Sequence, residues 1–178
     1  AIVAGVDRDA TLALTLCDEA IGLAEKHDMD LWRGYCSLLQ GYALALQDKP
    51  AAAADMLQDG LRRLAQTETG TMVSLHEAVC AWALARLGCL AQAHVHADNV
   101  ARELENGSER YFWIDSLIWL SRYERVLPAS DTLQANKTLQ RAVDEARRQG
   151  ALGWQLRAST ELGSLLLDQG HAPRAVQL

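Results

Sequence analysis

The sequence contains little proline and almost no phenylalanine, with 3 Pro and 1 Phe among 178 residues. Scarce proline removes the residue that most often interrupts helices, and the many alanines and leucines are strong helix formers. Hydrophobic residues make up 49% of the chain, which is enough to bury a core. We therefore predict an all-α protein without a β-sheet.

The sequence also lacks an excess of basic residues, a long apolar run and a leader peptide. Its formal net charge is −6, whereas phosphate binding requires a positive field, so nucleic acid is not expected as a partner. No apolar run approaches the roughly 20 residues that span a bilayer. The first residues, AIVAGVDRDA, have neither the basic segment nor the cleavage site of a signal peptide. We predict a cytoplasmic protein without membrane contact.

Cysteine and histidine occur without the spacing of a disulfide framework or a metal site. Buried, reduced thiols are expected, because no C-x-x-C pair occurs and apolar residues surround each cysteine at helical spacing. The four cysteines are Cys17, Cys36, Cys80 and Cys89. His94 and His96 are the closest histidines, but side chains two apart on a helix point roughly 200° apart. They cannot bind one ion together, so no metal is expected.

No group of residues indicates catalysis or cofactor binding. The glycines are isolated, whereas a phosphate-binding loop needs several close together. The adjacent pairs Asp18-Glu19 and Asp144-Glu145 are expected to be solvated, because neighbouring carboxylates on a helix face different directions, and neither they nor Glu77 beside His76 are expected to act as acid/base catalysts. We therefore predict that this chain is not an enzyme and holds no cofactor. A helical enzyme assembled from distant residues is the third alternative.

Three sets of residues recur at a nearly constant interval. Small residues occur at Gly41, Ala81, Ser121 and Gly163, alanines at Ala13, Ala53, Ala93, Ala135 and Ala175, and a third set at Cys17, Leu57, Ala97 and Leu139. All three sets step by 40, 40 and 42 residues, and the alanines add another step of 40. The larger step indicates a two-residue insertion at about 127–130. The sequence therefore contains a repeat of 40 to 42 residues.

Turn residues divide each repeat into two helices. Helices are predicted at about 9–27, 30–47, 50–66, 71–87, 90–105, 111–126, 131–149 and 151–169, with another beginning near 172. Residues 1–6 are predicted to end a preceding helix. The repeat units are about 1–28, 29–68, 69–108, 109–150 and 151–178. Because the chain lacks an initial methionine and stops within APRAVQL, we expect one repeat domain, 1–178, truncated at both ends of a longer protein.

The recurring small residues are expected to be scaffold. Antiparallel helices approach to about 8–10 Å only where the crossing point has no bulky side chain. The glycine, alanine and serine positions supply such crossings within each predicted pair. Stacked pairs would then bury a continuous apolar seam and curve into a superhelix.

The segment ELGSLLLDQGHAPRAVQL (161–178) resembles the tetratricopeptide (TPR) pattern. YALALQDKPAAAADML (42–57) and ARLGCLAQAHVHA (85–97) are weaker copies. The period exceeds the 34 residues of that family, and the usual tryptophan is missing. HEAT and armadillo repeats have a matching period but lack this arrangement of small residues and turns. The resemblance implies a TPR-like α-solenoid of antiparallel helix pairs, wound into a right-handed superhelix.

A narrower resemblance involves RAVDEARRQG (141–150), followed by Trp154, Leu156, Arg157 and Ala158 and then by Leu162-Gly163. These residues are similar to the C-terminal repeats of large bacterial signalling regulators. In such regulators an adenylate/guanylate cyclase or DNA-binding module precedes a STAND-type ATPase and TPR-like units. The resemblance implies a sensory or autoinhibitory arm that binds a protein or peptide, either from another protein or from another domain of its own chain. A stand-alone TPR scaffold is the second alternative.

The TPR resemblance also implies a concave groove, which the first helix of each pair would line. Its predicted lining is Tyr35, Leu38, Tyr42, Trp82, Arg86, Arg122, Arg125 and Arg157. Aromatic residues and arginine are typical interface anchors, so an acidic and apolar peptide would fit there. In the alternative interpretation, Tyr42 and Trp82 fill gaps between pairs, and the arginines are solvated or paired with Glu124 and Asp115.

Two further expectations concern packing. The remaining tryptophans, Trp32, Trp113, Trp119 and Trp154, fall on apolar stripes and are expected in the core or between repeats. Truncation would expose apolar faces on the first and last helices, so self-association through the ends is expected.

Overall fold

The computed structural model describes residues 9–67, 72–106, 112–128 and 132–176, and this part of the chain is all-helical, without a strand. Its helices are α1 (Ala10–Lys26), α2 (Asp30–Leu46), α3 (Pro50–Leu64), α4 (Val73–Arg86), α5 (Leu90–Asn106), α6 (Trp113–Val126), α7 (Thr132–Arg148), α8 (Leu152–Asp168) and α9 (Ala172–Ala175). The predicted all-α class is confirmed. Residues 1–6 and half of the predicted insertion, 129–130, lie outside the described residues.

Local signals determine where the helices begin and end. Asp9 caps α1, because its carboxylate accepts a hydrogen bond at 3.0 Å from a backbone N–H of the first turn. Pro50 opens α3, where its missing N–H costs nothing. Gly88, Gly150 and Gly170 follow α4, α7 and α8 with positive φ, which glycine adopts easily at helix ends.

Helices adjacent in sequence pack as pairs, with α2 on α3, α4 on α5, α6 on α7 and α8 on α9. At most junctions the second helix of one pair packs on the first helix of the next, as α1 does on α2, α3 on α4 and α7 on α8. The junction between α5 and α6 differs, because these two helices contact each other only sparsely. There α4 packs directly on α6 instead, which leaves α5 away from the neighbouring pair.

The core is centred on α4 and α6. Nearly every residue of α4 is buried, as expected for a helix that is apolar on all sides. Ser74 on α4 and Ser116 on α6 are 3.2 Å apart through their hydroxyl oxygens, so small side chains allow this close approach. The Trp119 ring on α6 lies edge-on to Trp82 at 5.2 Å and to Tyr42 at 5.8 Å between ring centroids. These three rings connect α2, α4 and α6.

The recurring small residues lie mostly in the interior. Buried members are Ala13, Gly41, Ala53, Ala81, Ala93, Ser121 and Ala135, whereas Gly163 and Ala175 are half-buried. A Cβ added at Gly41 would lie 2.5 Å from Leu57 Cγ on α3. Gly60, which the repeat does not single out, is equally tight: its added Cβ would lie 2.7 Å from Leu38 Cγ and 2.9 Å from the Gly34 carbonyl oxygen. Glycine therefore sets the close packing of α2 on α3.

We expect Gly60→Ala to destabilise the protein although alanine is the better helix former. The new methyl group would meet a backbone carbonyl, and overpacking of this kind costs about 1–3 kcal/mol, more than the helix propensity gain of at most about 1 kcal/mol. Gly22→Ala is the matched control, because nothing lies within 4 Å of its added Cβ. It should stabilise the fold by about 0.5–1 kcal/mol. Urea denaturation followed by circular dichroism measures both changes, and equal effects of the two substitutions would contradict the packing argument.

Candidate interaction site

In the structure, the apolar side chains that were predicted to line the concave groove are packed in the core. Leu38, Tyr42 and Trp82 are buried at 0%, 3% and 6% exposure, so the expectation that they face a ligand is corrected. The Tyr42 hydroxyl donates a hydrogen bond to Asp115 Oδ2 at 3.0 Å, which connects α2 to α6. These side chains pack between helix pairs, as the alternative interpretation states. Tyr35 is half-buried and lies 6.2 Å from Trp32 between ring centroids.

The predicted groove arginines contact residues of the same chain. Arg86 pairs with Asp48 at 2.7 Å, Arg122 pairs with Glu161, and Arg125 pairs with Asp168 at 3.4 Å. Each pair connects two neighbouring first helices: Asp48 lies in the turn after α2, Glu161 in the middle of α8, and Asp168 at the end of α8. The guanidinium groups also lie over indole rings, Arg86 over Trp82 at 5.4 Å, Arg122 over Trp119 at 4.5 Å and Arg157 over Trp154 at 4.8 Å. A ligand there would have to compete with existing partners.

Two single-residue expectations were wrong. Trp32 is 52% exposed instead of buried, and Cys89 is exposed in the turn directly before α5. The other three cysteines are buried free thiols, as expected. Burial raises the pKa of Cys17 and of Cys80 to about 12, so these two thiols remain protonated and unreactive at neutral pH.

The structure assembles a polar cluster that the sequence did not indicate. Glu77 on α4 is buried and contacts His96 on α5, while Asn99 donates a hydrogen bond to Glu77 Oε1 at 3.0 Å. His94, two residues from His96, turns to the other side of α5 and contacts the Tyr123 hydroxyl. The two histidines thus point apart, as predicted. In the described ranges no group of three or more His, Cys, Asp or Glu side chains could hold a metal.

The gap between α5 and α6 opens a groove on the side of the second helices. We call it the α5–α7 groove; it has a volume of about 380 Å³ and is bounded by α5, α6 and α7. Its lining is Ala97, Asp98, Ala101, Leu104, Glu105, Leu117, Leu120, Tyr123, Glu124, Gln134, Lys137, Thr138 and Arg141. Ala97, Ala101 and Leu120 form the accessible part of the floor, and Leu104 and Leu117 lie buried beneath them. The walls are polar, so the groove has the amphipathic character of a binding surface.

The two walls of the α5–α7 groove carry opposite charges. Asp98 and Glu105 lie on the α5 wall, and Lys137 and Arg141 lie on the α7 wall. Across the part of the chain that the structure describes, none of these four side chains forms an ion pair. They differ in this respect from the arginines of the predicted concave groove. The α5–α7 groove therefore presents charges that remain available to a partner.

One departure from the repeat points to the α5–α7 groove. Leu57 and Leu139 are buried members of the third repeat series, whereas Ala97, their counterpart on α5, is half-buried. A small side chain thus stands where the neighbouring repeats have a leucine. The sequence alone does not indicate an open groove, because an alanine there could equally bring two helices closer together.

A second cleft lies between α7, α8 and the short α9 and has a volume of about 410 Å³. Its lining is Leu133, Asn136, Lys137, Gln140, Arg147, Leu162, Leu166 and Arg174. Three cations and no carboxylate surround its leucines. One side of this cleft is formed by α9, which has only four residues. Its wall on that side is therefore shorter than the walls of the α5–α7 groove.

Comparisons with protein-family models, with curated proteins and with solved structures find no match for the chain. No helix in the described residues has the length and apolar character needed to cross a membrane.

Proposed function

We propose that this chain is a protein-interaction module, a TPR-like α-solenoid with a right-handed superhelix, which binds a helical segment of a partner. The observation that carries this proposal is the α5–α7 groove, with its apolar floor and unpaired charged walls. The proposed binding surface thus lies on the second helices rather than in the predicted concave groove. In the wider setting that the sequence resembles, the module would act as a regulatory arm of a cytoplasmic bacterial signalling protein.

The packing of the rest of the protein supports this choice of surface. The inner rings of the first helices contact one another, and the arginines beside them have carboxylate partners. Binding at that face would require these contacts to break, with a loss of existing stabilisation. The α5–α7 groove needs no such rearrangement, because Ala97, Ala101 and Leu120 on its floor are already at least partly accessible and its wall charges form no ion pair that binding would break in the described ranges.

We expect that filling the α5–α7 groove will weaken binding strongly without unfolding the protein. Ala101 is exposed on α5 and lines the groove, so Ala101→Gln would place a long neutral side chain over the floor. Ala52→Gln, at an exposed position of α3, is the matched control. Both residues lie on second helices, and glutamine is a good helix former.

The probe is a phage-displayed library of randomised amphipathic helices selected on the wild-type chain. Fluorescence anisotropy of the enriched peptides should show at least a roughly tenfold weaker affinity for Ala101→Gln, about 1.4 kcal/mol, and unchanged affinity for Ala52→Gln. Circular dichroism of both variants checks that the helices persist. A failure to enrich any peptide, or enriched peptides that bind Ala101→Gln as tightly as wild type, would refute the proposal.

A further inference from the structure

We infer that the partner of the α5–α7 groove is an amphipathic α-helix with a basic edge along α5 and an acidic edge along α7. This inference rests on the proposed function and specifies the chemistry of the bound segment. Its basis is the placement of Asp98 and Glu105 on one wall and of Lys137 and Arg141 on the other, over a floor whose accessible part includes Ala101 and Leu120.

The shape of the groove favours a helix over an extended strand. Its lining runs from Ala97 to Glu105 on α5 and from Gln134 to Arg141 on α7, so the groove is bounded along about 12 Å, or roughly two turns of an α-helix. The described helices offer no sheet edge to which an extended peptide could add. An apolar helix face would instead contact the leucines and alanines of the floor, as in other helix-in-groove complexes.

The two walls run in the same direction along the chain. Tyr123, near the end of α6, contacts His94, near the start of α5. Glu124, the next residue of α6, accepts hydrogen bonds from Gln134, near the start of α7, at 3.4 Å and from Thr138, one turn further on, at 3.0 Å. The starts of α5 and α7 therefore lie at the same end of the groove. The acidic wall and the basic wall extend side by side from that end.

Because the two walls carry opposite charges, the charges on both edges of a bound helix affect its affinity. A helix with lysines on both edges would be attracted to Asp98 and Glu105 but repelled by Lys137 and Arg141. A helix with glutamates on both edges meets the reverse conflict. Only a helix with one edge of each sign pairs favourably with both walls. Exchanging the two edges of such a helix does not prevent pairing, because the helix can lie in the groove with its direction reversed.

The test compares three synthetic helices of about 18 residues with the same leucine face. One has lysine on one edge and glutamate on the other, the second has lysine on both edges, and the third has glutamate on both. Fluorescence anisotropy at low salt should give the mixed-edge peptide an affinity about tenfold higher than that of either uniform peptide. The preference should decrease at about 1 M salt, which screens exposed charges.

A charge-reversed protein provides the decisive variant. Lys137→Glu combined with Arg141→Glu makes both walls acidic, so the peptide with lysine on both edges should become the tightest binder. Lys26→Glu combined with Lys49→Glu applies the same change of net charge at two positions outside the groove lining and should preserve the preference for the mixed-edge peptide. Helix content by circular dichroism shows whether both double variants remain folded.

Each outcome bears on the inference in a defined way. Equal binding of all three peptides to wild type, with binding still lost in Ala101→Gln, would overturn the charge assignment and leave the proposed function intact. A preference that does not change in Lys137→Glu/Arg141→Glu would also overturn it. If no helix binds, the proposed function fails together with the inference. If light scattering shows dimers that Ala101→Gln disrupts, a second copy of the chain is the occupant and the inferred partner is wrong.

Discussion

Replacing Trp119 by alanine is expected to lower the free energy of unfolding by about 3–5 kcal/mol. Trp119 is fully buried on α6, where its ring contacts Tyr42, Trp82 and the guanidinium of Arg122. The substitution would leave a cavity at the only place where rings from α2, α4 and α6 meet in the described structure. It would also remove the ring beneath Arg122. Urea denaturation followed by circular dichroism measures the change.

Trp32→Ala is the matched control for this prediction. Trp32 is 52% exposed at the start of α2, so its removal creates no comparable cavity and should cost less than about 1 kcal/mol. Trp119→Phe distinguishes the contribution of the aromatic ring from that of the indole N–H, because phenylalanine keeps a ring but has no polar atom. The Trp119 indole nitrogen is buried without a hydrogen-bond partner in the described ranges, and an unsatisfied buried donor is costly. Phenylalanine should therefore retain most of the stability. Similar losses for Trp119→Ala and Trp32→Ala would show that the three-ring cluster is not the centre of the core.

Acidification is expected to destabilise the fold through His76 by roughly 3 kcal/mol between about pH 6.5 and pH 4. The His76 ring is buried on α4, where burial lowers its pKa to about 4. Its Nδ1 lies 2.7 Å from the Met72 carbonyl oxygen and donates to it in the neutral ring. Nε2 has no partner within the described residues, so protonation would place an unsatisfied N–H and a charge in the core.

The sign of the pH effect follows from proton binding. The unfolded chain takes up a proton at His76 near the ordinary pKa of about 6.5, whereas the folded chain takes it up only near pH 4. Between these values the unfolded state binds more protons. The stabilisation is therefore complete above about pH 6.5 and is lost progressively as the pH falls to about 4.

His76→Gln provides the comparison, because glutamine keeps an N–H donor for Met72 and does not titrate. As the pH falls, the wild type should lose unfolding free energy relative to His76→Gln. His27→Gln, at an exposed position after α1, should leave the pH dependence of the wild type unchanged. Chemical denaturation at several pH values gives these differences. Parallel stability curves for wild type and His76→Gln would contradict the assignment.

The helices and their order were predictable from the sequence because their causes are local. The predicted helices at 30–47 and 90–105 differ by one residue at one end from the observed α2 and α5. Glycine, proline and capping carboxylates act within a few residues of their position, so their effects can be read from the sequence. Gly41 could also be identified from the sequence, because small residues recur at its position in each repeat unit and such residues are typical of helix crossings.

The predicted lining of the concave groove was wrong because accessibility there depends on contacts between different helices. Whether Tyr42 and Trp82 face solvent or a neighbouring ring depends on how closely α2, α4 and α6 approach each other. The two rings meet Trp119, which is far from Tyr42 in the sequence. Likewise, the sequence shows Arg122 and Arg125 on one helix but does not indicate that Glu161 and Asp168 lie opposite them.

The sequence by itself determined the all-helical class, the helix boundaries and the small residues at helix crossings, because propensity, capping and periodicity act over a few residues. Only the tertiary structure decided which side chains remain accessible. The direct packing of α4 on α6 buries Tyr42, Trp82 and Trp119 and holds most of α5 away from α6. Accessibility depends on the distance between helices that are remote in sequence, and that distance is set by the sum of many side-chain contacts. The α5–α7 groove, with its apolar floor and oppositely charged walls, results from that packing.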